Sequence, residues 1–102
     1  MIIVTGSVVA KAGQLEALLA ISLEHVRRSR QEPGCISHGV ARDSENPNKL
    51  VFFEEWADRA ALATHFAVPA SREFVKAARQ LAEGVPTLRI FEGKRSCQRN
   101  CT

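Results

Sequence analysis

Few side chains in this sequence could carry chemistry, and most of them cluster around the end of one predicted strand. Glu54 and Trp56 are two residues apart, and His65 follows nine residues after the tryptophan. Residues two apart on a strand project from the same face, and a helix that folds back after the strand would lay His65 over them. An imidazole can take up a proton near neutral pH, and a neighbouring carboxylate can hold its tautomer. We therefore expect these three side chains to surround one pocket.

The same residues also have structural interpretations. A tryptophan on an apolar strand face, such as Trp56, is often a core anchor, and His65 could be a hydrogen-bonded packing residue. Glu54 is harder to explain in this way, because an inward-facing carboxylate is costly unless it is paired. The carboxylate therefore implies either a buried partner or a chemical task.

The other candidates lie on other predicted elements. His38, on a second predicted strand, is a candidate substrate-binding residue, and so is Arg89 on the last strand. Arg89 also has a structural interpretation, in which it pairs with Glu54 or Glu55. His25, on the first predicted helix, is most simply a half-exposed surface residue.

Composition excludes several function classes. The sequence has no glycine-rich phosphate loop and no metal-ligand spacing such as His-x3-His, so we expect neither a metal nor another cofactor. The net charge of +3 comes from three basic residues in 94–102, and residues 1–93 carry 11 basic and 11 acidic residues. Because this body is neutral and has no basic stripe, nucleic-acid binding is not expected.

Hydropathy and cysteine content predict a cytoplasmic protein. No apolar run approaches the roughly 18 residues of a membrane span, and the alternating start has no basic segment of the kind found in signal peptides. Three cysteines are an odd count, which argues against the disulfide framework of a secreted domain.

The periodicity of apolar residues predicts a βαββαβ order, with the second helix interrupted at Pro69 and Asp58 as its N-cap. This order is typical of the ferredoxin-like α+β fold, an antiparallel four-stranded sheet with its helices on one face. The predicted strands span residues 2–11, 35–42, 49–56 and 87–91, and the predicted helical pieces span 14–31, 59–66 and 70–83.

Apolar residues on both sides of the predicted strands indicate an oligomer. If both helices cover one face of the sheet, the other face is left bare while still carrying valine and phenylalanine. Monomers rarely expose an apolar patch of that size, and a second copy of the same sheet would cover it. We therefore expect a homodimer.

The stretch from Lys49 to Phe74 resembles the antibiotic biosynthesis monooxygenase family, notably its quinol-monooxygenase-like branch. The matching features are Glu54-x-Trp56, His65 at the ninth position after the tryptophan, and Pro69 four residues later. The turn at 9–14, the strand entry at 32–35 and the final strand at 87–91 are also similar. The resemblance supports a domain at residues 1–93, followed by a basic polar tail at 94–102 that we expect to be disordered.

The resemblance implies a dimeric α+β barrel whose subunits oxidise a quinol-like or polycyclic hydroxyaromatic substrate with O2 and no cofactor. Carried over to this sequence, it makes His65 the base or donor and Glu54 the residue that orients it. Trp56 with Phe52 would form an aromatic wall. His38 takes a position where relatives commonly carry an aromatic residue, and a histidine there could either move the acid/base role or simply change the polarity of the pocket. The alternative is a dimeric small-molecule-binding or stress-associated module of the same fold without catalysis.

Overall fold

The computed structural model describes residues 1–97, which form four strands and three helices. Residues 94–97 of the predicted tail contain no helix or strand, and the remainder of the tail prediction lies outside the described residues. The elements are β1 (Ile2–Val9), α1 (Leu15–Ser29), β2 (Cys35–Arg42), β3 (Lys49–Trp56), α2 (Arg59–Ala67), α3 (Pro69–Leu81) and β4 (Thr87–Glu92).

The four strands form one antiparallel sheet in the order β2-β3-β1-β4. This confirms the predicted ferredoxin-like βαββαβ fold. The first strand is shorter than expected, because Ala10 makes only an isolated bridge to Ala82 after β1 has ended at Val9. None of the helices within residues 1–97 combines the length and apolarity needed to cross a membrane.

Local sequence signals set the positions of α2 and α3. The Asp58 carboxylate accepts a hydrogen bond of 2.8 Å from the backbone N–H of Ala61, which confirms the predicted N-cap of α2. Pro69 cannot continue that helix but suits the first position of a new one, so α3 begins there. As a result α2 is short, and His65 lies in its last turn, next to the end of β3.

The core between the sheet and the helices contains two apolar clusters. We call them the Leu50 cluster and the Trp56 cluster after their largest members on β3. Glu54 lies between Leu50 and Trp56 on the same buried side of that strand. The Leu50 cluster consists of Val8, Ala10, Leu18, Leu50, Ala78 and Ala82, and the Trp56 cluster of Ile2, Val4, Trp56 and Leu62.

The opposite side of the sheet, which we call the open face, carries apolar residues that remain partly exposed. Phe53 is 49% exposed and Phe91 is 47% exposed. In the sheet register Thr5 pairs with Phe53 on one side and with Arg89 on the other, so these three residues share the open face. Ile36 is also 47% exposed, beside a bulge in β2 between Cys35 and Ser37.

Candidate active site

A cavity of about 390 Å³ lies between the sheet and helix α3. Gly6 lies between Val4 and Val8 on the helix side of β1, and because it has no side chain it leaves this space open. The lining is mainly apolar, and its eight polar or charged side chains, among them Arg72 and Arg79, reach it from different elements. The apolar lining includes Phe52, Phe66, Phe74, Val75, Ala78 and Leu88, and the polar groups include His25, Glu54, His65 and Ser71.

His65 lines the cavity, and the side chain that holds it comes from the loop after α1. Its Nδ1 lies 2.9 Å from Oε1 of Glu32, and its ring centroid lies 4.5 Å from that of Trp56. A carboxylate accepts, so Nδ1–H donates to Glu32 and the neutral ring keeps a lone pair on Nε2. The carboxylate that orients His65 is therefore Glu32 and not Glu54, contrary to the expectation from the sequence.

Glu54 has two other partners. The indole N–H of Trp56 donates to its Oε1 at 2.8 Å, and Nε2 of His38 lies 3.3 Å from the same oxygen. Burial alone would raise the pKa of Glu54, but the neighbouring His38 imidazole and the Trp56 N–H outweigh burial and hold that pKa below its usual value. Glu54 is thus a buried, ionised group on the cavity floor.

Phe52 and Trp56, the two predicted aromatic wall residues, have different positions. Phe52 lines the cavity, where its ring packs edge-on against Phe74 with centroids 6.2 Å apart. Trp56 is completely buried and is not part of the lining. It contacts Glu54 and His65 from within the core and not from the cavity. The expected Trp56 wall is replaced by Phe74, which reaches the cavity from α3.

His38 and Arg89, the predicted substrate-binding residues, do not line the cavity. His38 is buried beside Glu54, and neither of its ring nitrogens has a well-aligned hydrogen-bond partner within residues 1–97. Arg89 lies on the open face of the edge strand β4, on the other side of the sheet from the cavity. Among the described residues it makes no ion pair, so the expected pairing with Glu54 or Glu55 is absent there.

His25 is the main residue that sequence reasoning missed. It is only 5% exposed, lines the cavity, and stacks on Phe74 with centroids 4.1 Å apart. The spacing along α1 could have indicated that His25 is buried, because steps of three and four residues connect it to other inward-facing positions of this helix. These positions are Leu18, Ser22, His25 and Ser29, all of which are buried.

The three histidines, His25, His38 and His65, form what we call the histidine cluster. One nitrogen from each ring lies within 4.8 Å of the others, a spacing from which three imidazoles could converge on a transition metal. However, Nη2 of Arg28 lies 2.8 Å from Nδ1 of His25, and a guanidinium can only donate. Since Nδ1 accepts that bond, neutral His25 carries its proton on Nε2 and offers no free lone pair. The observed contacts therefore favour proton transfer over metal ligation, and the absence of a metal site stays a prediction.

Similarity to known proteins assigns this chain to a family. A family model described as antibiotic biosynthesis monooxygenase matches residues 1–77. The chain belongs to this family. The uncharacterised protein sll1783 of Synechocystis sp. is 36% identical over 91 residues, which cover 89% of this chain. The same alignment covers 62% of sll1783, so this chain spans less than two thirds of that relative's length.

Solved structures of relatives agree with this family and fold. A crystal structure described as an antibiotic biosynthesis monooxygenase is 28% identical, with a TM-score of 0.86, and the alignment covers 93% of this chain and 100% of that one. A protein from Deinococcus radiodurans is 24% identical, with a TM-score of 0.90 and coverage of 98% and 99%. At that identity the second likeness shows the fold alone.

Proposed function

We propose that this chain is a monooxygenase that oxidises a quinol-like or polycyclic hydroxyaromatic compound with O2 and needs no cofactor for this step. The observation that carries the proposal is the arrangement around His65. Its Nδ1 is held by Glu32 at 2.9 Å, while the ring lines a cavity with apolar walls. A base with a fixed tautomer beside an apolar cavity suits deprotonation of an aromatic hydroxyl.

The reaction begins with transfer of the substrate hydroxyl proton to Nε2 of His65. The O–H electron pair stays on the substrate, and the resulting anion is electron-rich enough to pass an electron to O2. For a substrate with a reactive methylene carbon, one oxygen atom becomes the new carbonyl oxygen and the other leaves as water. The substrate itself supplies all four electrons, so the reaction balances without an external reductant.

The cavity walls suit such a substrate. Phe52 and Phe74 offer aromatic surface on which a planar ring can pack, and the volume of about 390 Å³ falls within the range of small-molecule pockets. Ser71 also lines the cavity, and its buried hydroxyl has no hydrogen-bond partner within residues 1–97. An open cavity also supports ligand binding over a purely structural role.

We also propose that the active form is a homodimer joined through the open face. Phe53 and Phe91 are each about half exposed on that face, and burying apolar surface of this kind stabilises association. The cavity lies on the other side of the sheet, so pairing through the open face would leave its lining in place. Sedimentation of the purified chain should give twice the monomer mass.

The first experiment is oxygen uptake by chelator-treated protein with a panel of reduced quinones and anthrones. We expect uptake well above buffer, and a loss of about 100-fold or more in His65→Ala, as expected for removal of a general base. Thr64→Ala is a matched control, because Thr64 precedes His65 on α2 and is exposed. It should retain the activity of the original chain.

Two results would contradict the proposal. Uptake equal to buffer with every substrate, together with tight binding of the same compounds, would favour the non-catalytic binding module. Uptake that His65→Ala leaves unchanged would show that the reaction does not use this base.

A further inference from the structure

His25 presents a fixed hydrogen-bond donor to the cavity. The guanidinium of Arg28, three residues along α1, donates to Nδ1 of His25 at 2.8 Å. Guanidinium groups have no acceptor, so Nδ1 must be the unprotonated nitrogen and Nε2 must carry the proton of the neutral ring. Stacking on Phe74 at 4.1 Å, with an interplanar angle of 8°, fixes the ring plane.

The surroundings of His25 keep the ring neutral. Burial, followed by the charges of His38 and His65 when protonated and of Arg28, lowers the pKa of His25 to about 3, although Glu54 acts in the opposite direction. A neutral imidazole with its proton on one nitrogen can donate a hydrogen bond without giving up that proton. His25 therefore resembles a hydroxyl or amide donor more than an acid.

His65 has the opposite tautomer. Its Nδ1–H donates to Glu32, so Nε2 has the lone pair. The ring centroids of His25 and His65 are 5.3 Å apart, and both rings line the same cavity. Two histidines with opposite tautomers thus supply one acceptor and one donor to a single bound molecule.

We propose that the cavity binds the anion of a weakly acidic hydroxyaromatic or enol, with His25 as the donor to its oxyanion. His65 Nε2 takes the hydroxyl proton, the O–H bond breaks, and the electron pair stays on the oxygen, which accepts the Nε2–H of His25. Glu32 balances the positive charge formed on His65. This inference uses the cavity of the proposed function, names His25 as a further catalytic residue, and requires no turnover to be tested.

The tautomers can be measured directly in the full chain by nitrogen-15 NMR of the histidine side chains at neutral pH. We expect His25 to show a protonated Nε2 and an unprotonated Nδ1, and His65 to show the reverse. Arg28→Met removes the donor to Nδ1. In this variant the proton of neutral His25 should no longer favour Nε2, whereas the tautomer of His65 should not change. A proton on Nδ1 of His25 in the original chain would overturn the proposal.

Binding of 4-nitrophenol tests the ligand class, because its phenolate absorbs in the visible range and it is not oxidised by O2 under these conditions. Bound to the original chain, the probe should ionise at lower pH than it does free in water. His25→Leu should lose about tenfold of the preference for the phenolate, because it removes a hydrogen bond to a charged group. His25→Gln, which retains an N–H donor, should keep most of it.

The outcomes separate this inference from the proposed function. Phenolate binding that depends on His25, without oxygen uptake on any substrate, would support the donor and contradict the oxygenase. Oxygen uptake with no shift in probe ionisation, or with equal shifts in His25→Leu and His25→Gln, would overturn the donor and leave the oxygenase standing.

Discussion

The Leu50 cluster and the histidine cluster occupy the same layer between sheet and helices, but they are built in opposite ways. Leu50 and Leu18 are fully buried among apolar side chains, where each removed methylene costs stability and nothing is available for chemistry. The histidine cluster is equally buried, yet its rings are held by hydrogen bonds and by contacts with carboxylates rather than by close packing alone. The fold supports a costly polar core because an apolar cluster lies on either side of it along β3.

Because of this difference, substitutions in the Leu50 cluster and in the histidine cluster should lower the free energy of unfolding in different ways. Truncating an apolar residue removes contacts and leaves a void, which lowers the free energy of unfolding at every pH. Removing one partner in the polar region leaves another polar group buried without a partner, and that cost depends on protonation.

Leu50→Ala should have the largest effect on stability. Leu50 is fully buried in the Leu50 cluster, and a leucine-to-alanine change at such a position lowers the free energy of unfolding by about 3 kcal/mol. Urea unfolding monitored by circular dichroism measures it. The contrast between the two clusters predicts that this loss of unfolding free energy is the same throughout pH 5 to 8. A loss that varies strongly with pH would contradict that contrast.

Trp56→Phe should cost about 2 kcal/mol at neutral pH, because it removes the N–H that donates to the ionised Glu54 carboxylate. The folded-state pKa of Glu54 lies below its unfolded value, so its stabilisation is present above the unfolded pKa and is lost as pH falls through the folded pKa. Without the Trp56 donor, the pKa of Glu54 should rise toward its usual value. The variant should therefore lose less stability than the original chain as pH falls below the unfolded pKa of Glu54, so that the two stability–pH curves converge in acid, and parallel acid limbs would contradict this role of Trp56.

Because the fold lowers the pKa of His25, the free energy of unfolding should fall as the solution becomes mildly acidic. An exposed histidine in the unfolded chain has a pKa of about 6.5, whereas the pKa of His25 in the fold is about 3. Between these values the unfolded chain binds one more proton at this position, so the contribution is complete above about pH 6.5 and declines below it by at most about 1.4 kcal/mol per pH unit. His25→Gln cannot titrate, and subtracting its profile from that of the original chain isolates the effect. A flat difference between pH 6 and 4 would show that His25 is not held neutral.

Much of the fold could be predicted because its signals are local. The helix-to-helix break needed only Pro69, and the start of α2 needed only Asp58 and the backbone three residues later. The approach of His65 to the end of β3 followed from chain continuity. Glu54 and Trp56 were predicted to share a face because alternation on a strand is geometric.

The site could not be completed from the sequence, because its remaining contacts are not local. Glu32 and His65 are 33 residues apart and meet only through the packing of α1 against the sheet. Alternation places Trp56 on the correct face but does not say that helix α2 covers it completely. Arg89 lies on β4, an edge strand exposed on both sides, where alternation does not distinguish a cavity-facing position from an open one.

Ser22 and Ser29 offer the smallest and most closely matched test of the contrast between the two kinds of core. Both are completely buried on the inner face of α1. The Ser29 hydroxyl donates to the carbonyl oxygen of His25 at 2.6 Å, whereas the Ser22 hydroxyl has no partner within residues 1–97. Ser29→Ala should therefore lower the free energy of unfolding by about 1 kcal/mol, and Ser22→Ala should leave it unchanged or raise it, because a buried hydroxyl without a partner costs stability. Equal losses in the two variants by urea unfolding would mean that Ser22 has a bound partner in solution, and the polar side of the core would then extend along α1 beyond the histidine cluster.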